Sequence, residues 1–145
     1  MPRIKINLPE SFLFATQIPV RITDLNYGGH VGNDAILGII HEARLQFLKS
    51  FGYASELDVA GTSLIMADSA IVYKGEGFYG DIIKAEVAAS DISKYGFDLV
   101  YRLSNLQTGK EIAHAKTGMV CFNYQTRKVA PMPDALKKQF ETNPG

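Results

Sequence analysis

Cysteine is nearly missing: Cys121 is the single one in 145 residues. No intramolecular disulfide can form and no thiol companions exist for a structural zinc, so a reducing, cytoplasmic setting is expected. Surplus charge is missing too. Fifteen basic residues balance fifteen acidic ones, which argues against a nucleic-acid partner, since such modules need a basic face. No apolar run approaches a membrane span, and the first ten residues carry charges and polar breaks instead of the apolar stretch of a signal peptide. Repeats, low-complexity segments and linkers are absent as well. What remains is 46% hydrophobic and 21% charged, an ordinary globular composition that fits one domain over residues 1–145.

The most informative stretch is Asp24-Leu25-Asn26-Tyr27-Gly28-Gly29-His30-Val31-Gly32-Asn33. Three glycines among Gly28–Gly32 let the backbone turn tightly and let another group approach it. Asn33 is a favoured residue type for starting a helix. A tight loop that feeds a helix N-terminus offers free N–H groups and the positive end of the macrodipole, a place to polarise a carbonyl or hold an anion. No Lys-Ser/Thr pair follows the glycines, so a phosphate loop is not expected.

Periodicity supplies the frame. Phe14, Thr16, Ile18, Val20 and Ile22 alternate with polar or small residues as in a strand, with Pro19 marking an edge. Ile36, Ile40, Ala43, Phe47 and Phe51 predict a helix over 33–51, with Ile39 widening its stripe, Leu37, Leu45 and Leu48 lying outside it, and Gly52 stopping it. Strands are expected over 64–74, 83–90, 95–104 and 111–124, the last with Ala113, Ala115, Thr117, Met119 and Cys121 on one small-residue face that lets the sheet approach the helix closely. Pro131 and Pro133 end the sheet, and Asp134 is placed to cap a short helix through Phe140. Strand, long helix, then antiparallel strands make an α+β arrangement: an antiparallel sheet wrapped around one long central helix.

Here the chain resembles the hotdog-fold acyl-CoA thioesterase superfamily, specifically its 4-hydroxybenzoyl-CoA thioesterase-like branch. Val20 through Asn33 is similar to that branch's strand, loop and helix start, and Glu42-Ala43-Arg44 with Phe47-Leu48 to its helix signature. Tyr73 with Gly80-Asp81, and Gly109, Ala113, Thr117, Val120 and Phe122 with Pro131-Met132-Pro133, resemble its later strands. The resemblance implies thioester hydrolysis on acyl-CoA or acyl carrier protein, with no metal and no cofactor. It further implies a homodimer, possibly a dimer of dimers, with the site at the subunit boundary. Tyr27, Gly29 and Val31 in the loop, and Asp68 and Ser69 on a strand, are then expected beside the substrate.

One position departs from the pattern. The hydroxybenzoyl enzymes carry an Asp where this chain has Asn26, and an amide can neither take a proton nor form an acyl anhydride. Plant acyl-carrier-protein thioesterases are similar in having an Asn and a His in this loop. Asn26 can hold a water or the thioester carbonyl, and the N–H near Asn33 matches the family's carbonyl-polarising position. Losing such a donor costs about 2.7–4 kcal/mol of barrier stabilisation. His30 and Asp24 are the favoured bases: histidine as a residue type suits proton transfer near neutral pH, and continued strand alternation would set Asp24 on Asn26's side. Glu42 on the helix flank and Asp68, which interrupts the apolar face of Leu64, Met66, Ala70 and Val72, are the remaining carboxylates.

Plainer roles stand beside these. Asp24 can shape the turn, Asp68 can cap a bulge or pair across a dimer, and Arg44 reads as a solvated or interface charge. His41 and His114 fit packing or surface roles, and Cys121 an inert core thiol. A non-catalytic acyl-thioester binding protein is the alternative that Asn26 motivates. A hydratase fits least, because its Asp and His stand five positions apart and Asp24 and His30 stand six.

Overall fold

The computed structural model describes residues 3–141. Its elements are β1 (Phe14–Pro19), α1 (Asn33–Ser50), β2 (Ser63–Tyr73), β3 (Ile82–Ser90), β4 (Gly96–Asn105), β5 (Glu111–Asn123), β6 (Lys128–Val129) and α2 (Asp134–Glu141). The sheet is antiparallel throughout, in the order β1-β3-β4-β5-β2, with β6 pairing the end of β5. Among the described residues no helix is long and apolar enough to cross a membrane.

Helix α1 buries Ile36, Ile39, Ile40, Ala43, Phe47 and Leu48 on the sheet's inner face. Each large apolar side chain so covered contributes about 1.5–3 kcal/mol. Opposite them lie Ile83, Ala85 and Val87 of β3, Phe97, Leu99, Tyr101 and Leu103 of β4, and Ala113, Ala115, Thr117, Met119 and Cys121 of β5, all buried as their alternation predicts. Beyond the helix end, Gly52 takes φ +95°. Its N–H donates to Lys49 O, while that of Tyr53 donates to Leu48 O, the paired bonds of a Schellman stop. Helix α2 tucks Leu136 and Phe140 against this end, with the Phe140 ring 4.8 Å from that of Phe97 and 5.5 Å from that of Phe47.

Three expectations change. First, β1 ends at Pro19, and a 3-10 turn over Ile22–Asp24 replaces the continued strand, leaving Ile22 exposed. Strand alternation therefore does not relate Asp24 to Asn26. Second, the backbone of α1 comes nearest to β1 and β3, not to the small face of β5. The helix is displaced toward one sheet edge, and a seam opens between α1 and β2 on the other. Third, the register of β2 against β5 slips between Met66 and Asp68. One extra residue there inverts the side-chain parity. Leu64 and Met66 pair with Cys121 and Met119, but Ser69, Ile71 and Tyr73 then take up Thr117, Ala115 and Ala113 on that inner face. Asp68, Ala70 and Val72 are turned to the outer one.

Candidate active site

The glycine loop is a small hairpin set by its own backbone. Leu25 bridges Val31, the Asn26 N–H donates to His30 O at 2.9 Å, and the Gly29 N–H donates to Asn26 O at 3.1 Å. Gly29 takes φ +82°, a conformation open to glycine at little cost. The loop is stitched to the rest by the Val31 N–H to Gly77 O, 2.7 Å, and by the Gly32 N–H to Asp24 O, 3.0 Å. Tyr27 stands fully exposed at its tip, while Val31 is buried beneath it.

Asn26 and His30 meet at the top of this loop. The Asn26 Oδ1 accepts the Gly28 N–H at 2.8 Å, which ties it to the turn, while the Nδ2 hydrogens remain available to donate. His30 Nδ1 lies 3.3 Å from Val31 O. In the neutral ring, a nitrogen facing a carbonyl carries the hydrogen, which makes Nε2 the acceptor. The ring is steadied edge-on by Phe78, centroids 6.5 Å apart. A β-carbon built on Gly28 would lie 3.2 Å from Asn26 Oδ1 and 3.4 Å from His30 Nε2. The two side chains thus share one small glycine-floored space.

Helix α1 begins directly after it. Its N-cap is Gly32 rather than Asn33, and no side chain caps it. Gly32 O receives the Ala35 and Ile36 N–H groups, while those of Asn33 and Asp34 find no acceptor among the described residues. Two uncapped N–H groups at the positive end of an eighteen-residue helix suit an oxygen that gains negative charge. A cavity of ≈ 290 Å³ opens beside them, lined by His30, Asn33, Ile36, Tyr73, Glu76 and Ile112.

The other expected site residues lie apart from this cluster. Asp24 is buried beneath the loop, its carboxylate taking the Arg21 backbone N–H at 2.8 Å and the Arg21 Nη2 at 3.1 Å. It holds the turn that delivers Asn26. Glu42 faces the β1 side of α1, accepts from Gln46 Nε2 at 2.8 Å and lines a groove of ≈ 580 Å³ with Gln17, Pro19 and Arg21. Asp68 accepts from the Gly118 N–H and from Lys116 Nζ on the outer sheet face. The Lys116 ammonium holds its carboxyl below the usual carboxylate range, against a smaller opposing effect of burial. Ser69 is exposed on the inner face of the β2 edge.

Arg44 is a residue that sequence reasoning misjudged. It is buried, with Nε donating to Glu56 Oε2 at 2.9 Å, and Glu56 also takes His41 Nε2 at 2.9 Å. A signal was there: Arg44 continues the four-residue ladder of Ile36 and Ile40. His114 pairs with Glu111 on the outer face. Burial pushes the Cys121 thiol up to about 11, as suits an inert core residue.

The model of the thioesterase-like superfamily matches residues 20–140. The chain belongs to that superfamily. Among its curated relatives is the 1,4-dihydroxy-2-naphthoyl-CoA hydrolase of Synechococcus elongatus, 27% identical over 121 residues that cover 81% of this chain and 88% of the relative. Its fold is that of a thioesterase-superfamily protein from Jannaschia, with TM-score 0.82 and 22% identity over 94% of this chain and 86% of the other. A thioesterase from Thermus thermophilus, solved with coenzyme A and zinc, superposes with TM-score 0.78 and 19% identity over 91% of this chain and 100% of its own. The hotdog arrangement of one long helix against an antiparallel sheet is therefore the superfamily's own, and the resemblance read from Val20 to Asn33 and from Glu42 to Leu48 falls within the matched residues.

Proposed function

We propose that this member of the superfamily hydrolyses acyl-CoA thioesters, with His30 as general base and the first turn of α1 as the oxyanion site. The observation that carries the reading is the uncapped Asn33 and Asp34 N–H pair next to a histidine whose Nε2 is free. Water gives its proton to His30 Nε2 while its oxygen bonds to the thioester carbon. The carbonyl oxygen takes the charge, held by the helix N–H groups. The C–S bond then breaks, and His30 returns the proton to the departing sulfur. Asn26 donates through Nδ2 to the water or the carbonyl and never accepts a proton. Asp24 keeps its turn in place; Glu42 and Asp68 stand outside the reaction. Tyr27 and Gly29 form the rim where the thioester enters, with Val31 as the apolar floor beneath them.

Coenzyme A is the favoured carrier, because the Synechococcus relative is named for a CoA thioester and the Thermus thioesterase was solved with coenzyme A. Acyl carrier protein is the other carrier this chemistry accepts. The assembly is a homodimer. Its support is β2, an eleven-residue strand with one edge unpaired and with Met66 to Ser69 exposed. An open edge that long invites a second copy, and strand pairing there would cover the α1–β2 seam with partner residues.

Release of coenzyme A from a panel of alkyl and aryl acyl-CoAs, followed with a thiol dye, tests the activity. Turnover above background with at least one class is expected; its absence throughout contradicts the reading. Asn26 at an acidic position favours one rival, an acyl-thioester binding protein without turnover, which saturable binding without thiol release would identify.

A further inference from the structure

One acidic side chain reaches the cavity beside the helix tip. Glu76 is the single carboxylate among the residues that line it, together with His30 and Asn33. It is exposed, and it has no hydrogen bond or ion pair among the described residues. Other acids nearby are committed: Asp24 takes Arg21, Glu111 takes His114, and Asp81 accepts the Phe78 N–H at 2.9 Å. Asp34, on the first turn of α1, lines the separate cavity toward β2.

The backbone brings Glu76 there and holds it. On one side the Lys74 and Gly75 N–H groups donate to Ile112 O at 2.8 and 3.1 Å; on the other Gly77 O accepts the Val31 N–H at 2.7 Å. Both flanking glycines are needed for so close a passage. A β-carbon on Gly75 would fall 2.7 Å from Glu111 O, and one on Gly77 would fall 3.0 Å from Val31 Cγ2. Phe78 bridges His30 in antiparallel register, and no turn or bend separates Glu76 from Phe78. Alternation then puts Glu76 on the side that carries the paired Phe78 and His30 rings. As a diagonal neighbour it stands about 7–8 Å from His30 between Cα atoms, close enough for the two side chains to hold one water between them.

We propose, resting on the thioesterase reading, that Glu76 orients the attacking water for His30. It supplies the carboxylate that Asn26 cannot be. Water carries two hydrogens, and a lone base fixes only one of them. Here one hydrogen is given to His30 Nε2 and the other is accepted by Glu76, which turns an oxygen lone pair toward the thioester carbon. As the O–C bond forms, the first proton moves to His30 and the carbonyl electrons move to the oxygen held by the helix. As the C–S bond breaks, His30 gives that proton to sulfur. The second hydrogen stays on the product acid, so Glu76 itself exchanges no proton.

Hydrolysis by the wild-type protein, Glu76→Gln and Glu76→Ala tests this. The substrate is whichever of hexanoyl-, palmitoyl- and benzoyl-CoA the wild type cleaves fastest. Glu76→Gln keeps the shape and loses the charge. Its kcat is expected to fall about 10- to 100-fold, the worth of a hydrogen bond to a charged group, with KM close to the parent's. Glu76→Ala should fall at least as far, then recover several-fold in sodium formate but not in sodium chloride at equal ionic strength, because a small carboxylate refills the place. An unchanged kcat in Glu76→Gln overturns the proposal, whatever happens to KM. A raised kcat overturns it too, and is expected if the carboxylate instead covers the Asn33 and Asp34 N–H groups. So does a loss in both variants without any formate response, the mark of a structural role. If the wild type cleaves none of the three, the thioesterase reading fails and the water with it. Should Glu76→Ala not fold, kcat and KM of Glu76→Gln decide.

Discussion

Asn26 and His30 close on the same glycine: Asn26 Oδ1 accepts the Gly28 N–H at 2.8 Å, and His30 Nε2 lies 3.4 Å from where a Gly28 side chain would begin. The empty place on Gly28 is what lets an amide donor and an imidazole acceptor face one reacting group.

Gly28→Ala is therefore expected to damage catalysis while sparing the fold. The added methyl sits 3.2 Å from Asn26 Oδ1, which must give by a few tenths of an ångström, and makes an ordinary 3.4 Å contact with His30 Nε2. Misplacement of about 1 Å costs about 100-fold, and this smaller shift costs a part of that. Steady-state kinetics should show kcat/KM down by up to about 10-fold, with a melting temperature within a few degrees of the parent. Unaltered kinetics would show that the pair does not act together.

Asn26→Asp separates two roles of one side chain. A carboxylate still accepts the Gly28 N–H and keeps the turn, but it cannot donate. If Asn26 works through Nδ2, the variant folds normally and loses about 10- to 100-fold in kcat, the worth of a charge-assisted hydrogen bond in the transition state. Retained or increased turnover would instead mean that the loop accommodates a carboxylate mechanism.

Much of this frame is legible from periodicity alone, because a buried face repeats its apolar residues faithfully. The β5 series from Ala113 to Cys121 and the α1 series from Ile36 to Phe47 are buried as their spacing requires. The loop's glycines, Asn26 and His30 also stand out, since few other roles gather those residue types in ten positions. Other features depend on pairing, which spacing does not encode. Alternation runs smoothly through Ala67, so the slip that turns Asp68 outward becomes visible only against its partner Gly118. Asp24 reads as a base until Arg21 is found on its carboxylate. Arg44 reads as a surface charge until Glu56, from the loop twelve residues on, is seen to cover it.

The outer sheet face predicts an acid-sensitive contribution to stability. Lys116 hydrogen-bonds Asp68 and holds its carboxyl below the ordinary aspartate value. A depressed folded value means that stability is present above about pH 4, the unfolded aspartate value, and is lost as the pH falls through the folded one. Asp98 works in the opposite sense, since burial raises it, with Lys116 partly offsetting that. In Lys116→Met the Asp68 carboxyl should titrate higher by NMR, and melting temperatures between pH 7 and pH 3 should fall less steeply than in the parent. An unchanged Asp68 titration would remove this pair from the acid response.

The central claim is that the first turn of α1 receives the thioester oxygen, and a complex with an inert ketone analogue of an acyl-CoA tests it most directly. The crystal structure of that complex should place the ketone oxygen about 2.7–3.1 Å from the Asn33 or Asp34 N–H, with His30 Nε2 facing the carbonyl carbon across one water. A ketone seated elsewhere, with those N–H groups still bare, would contradict it.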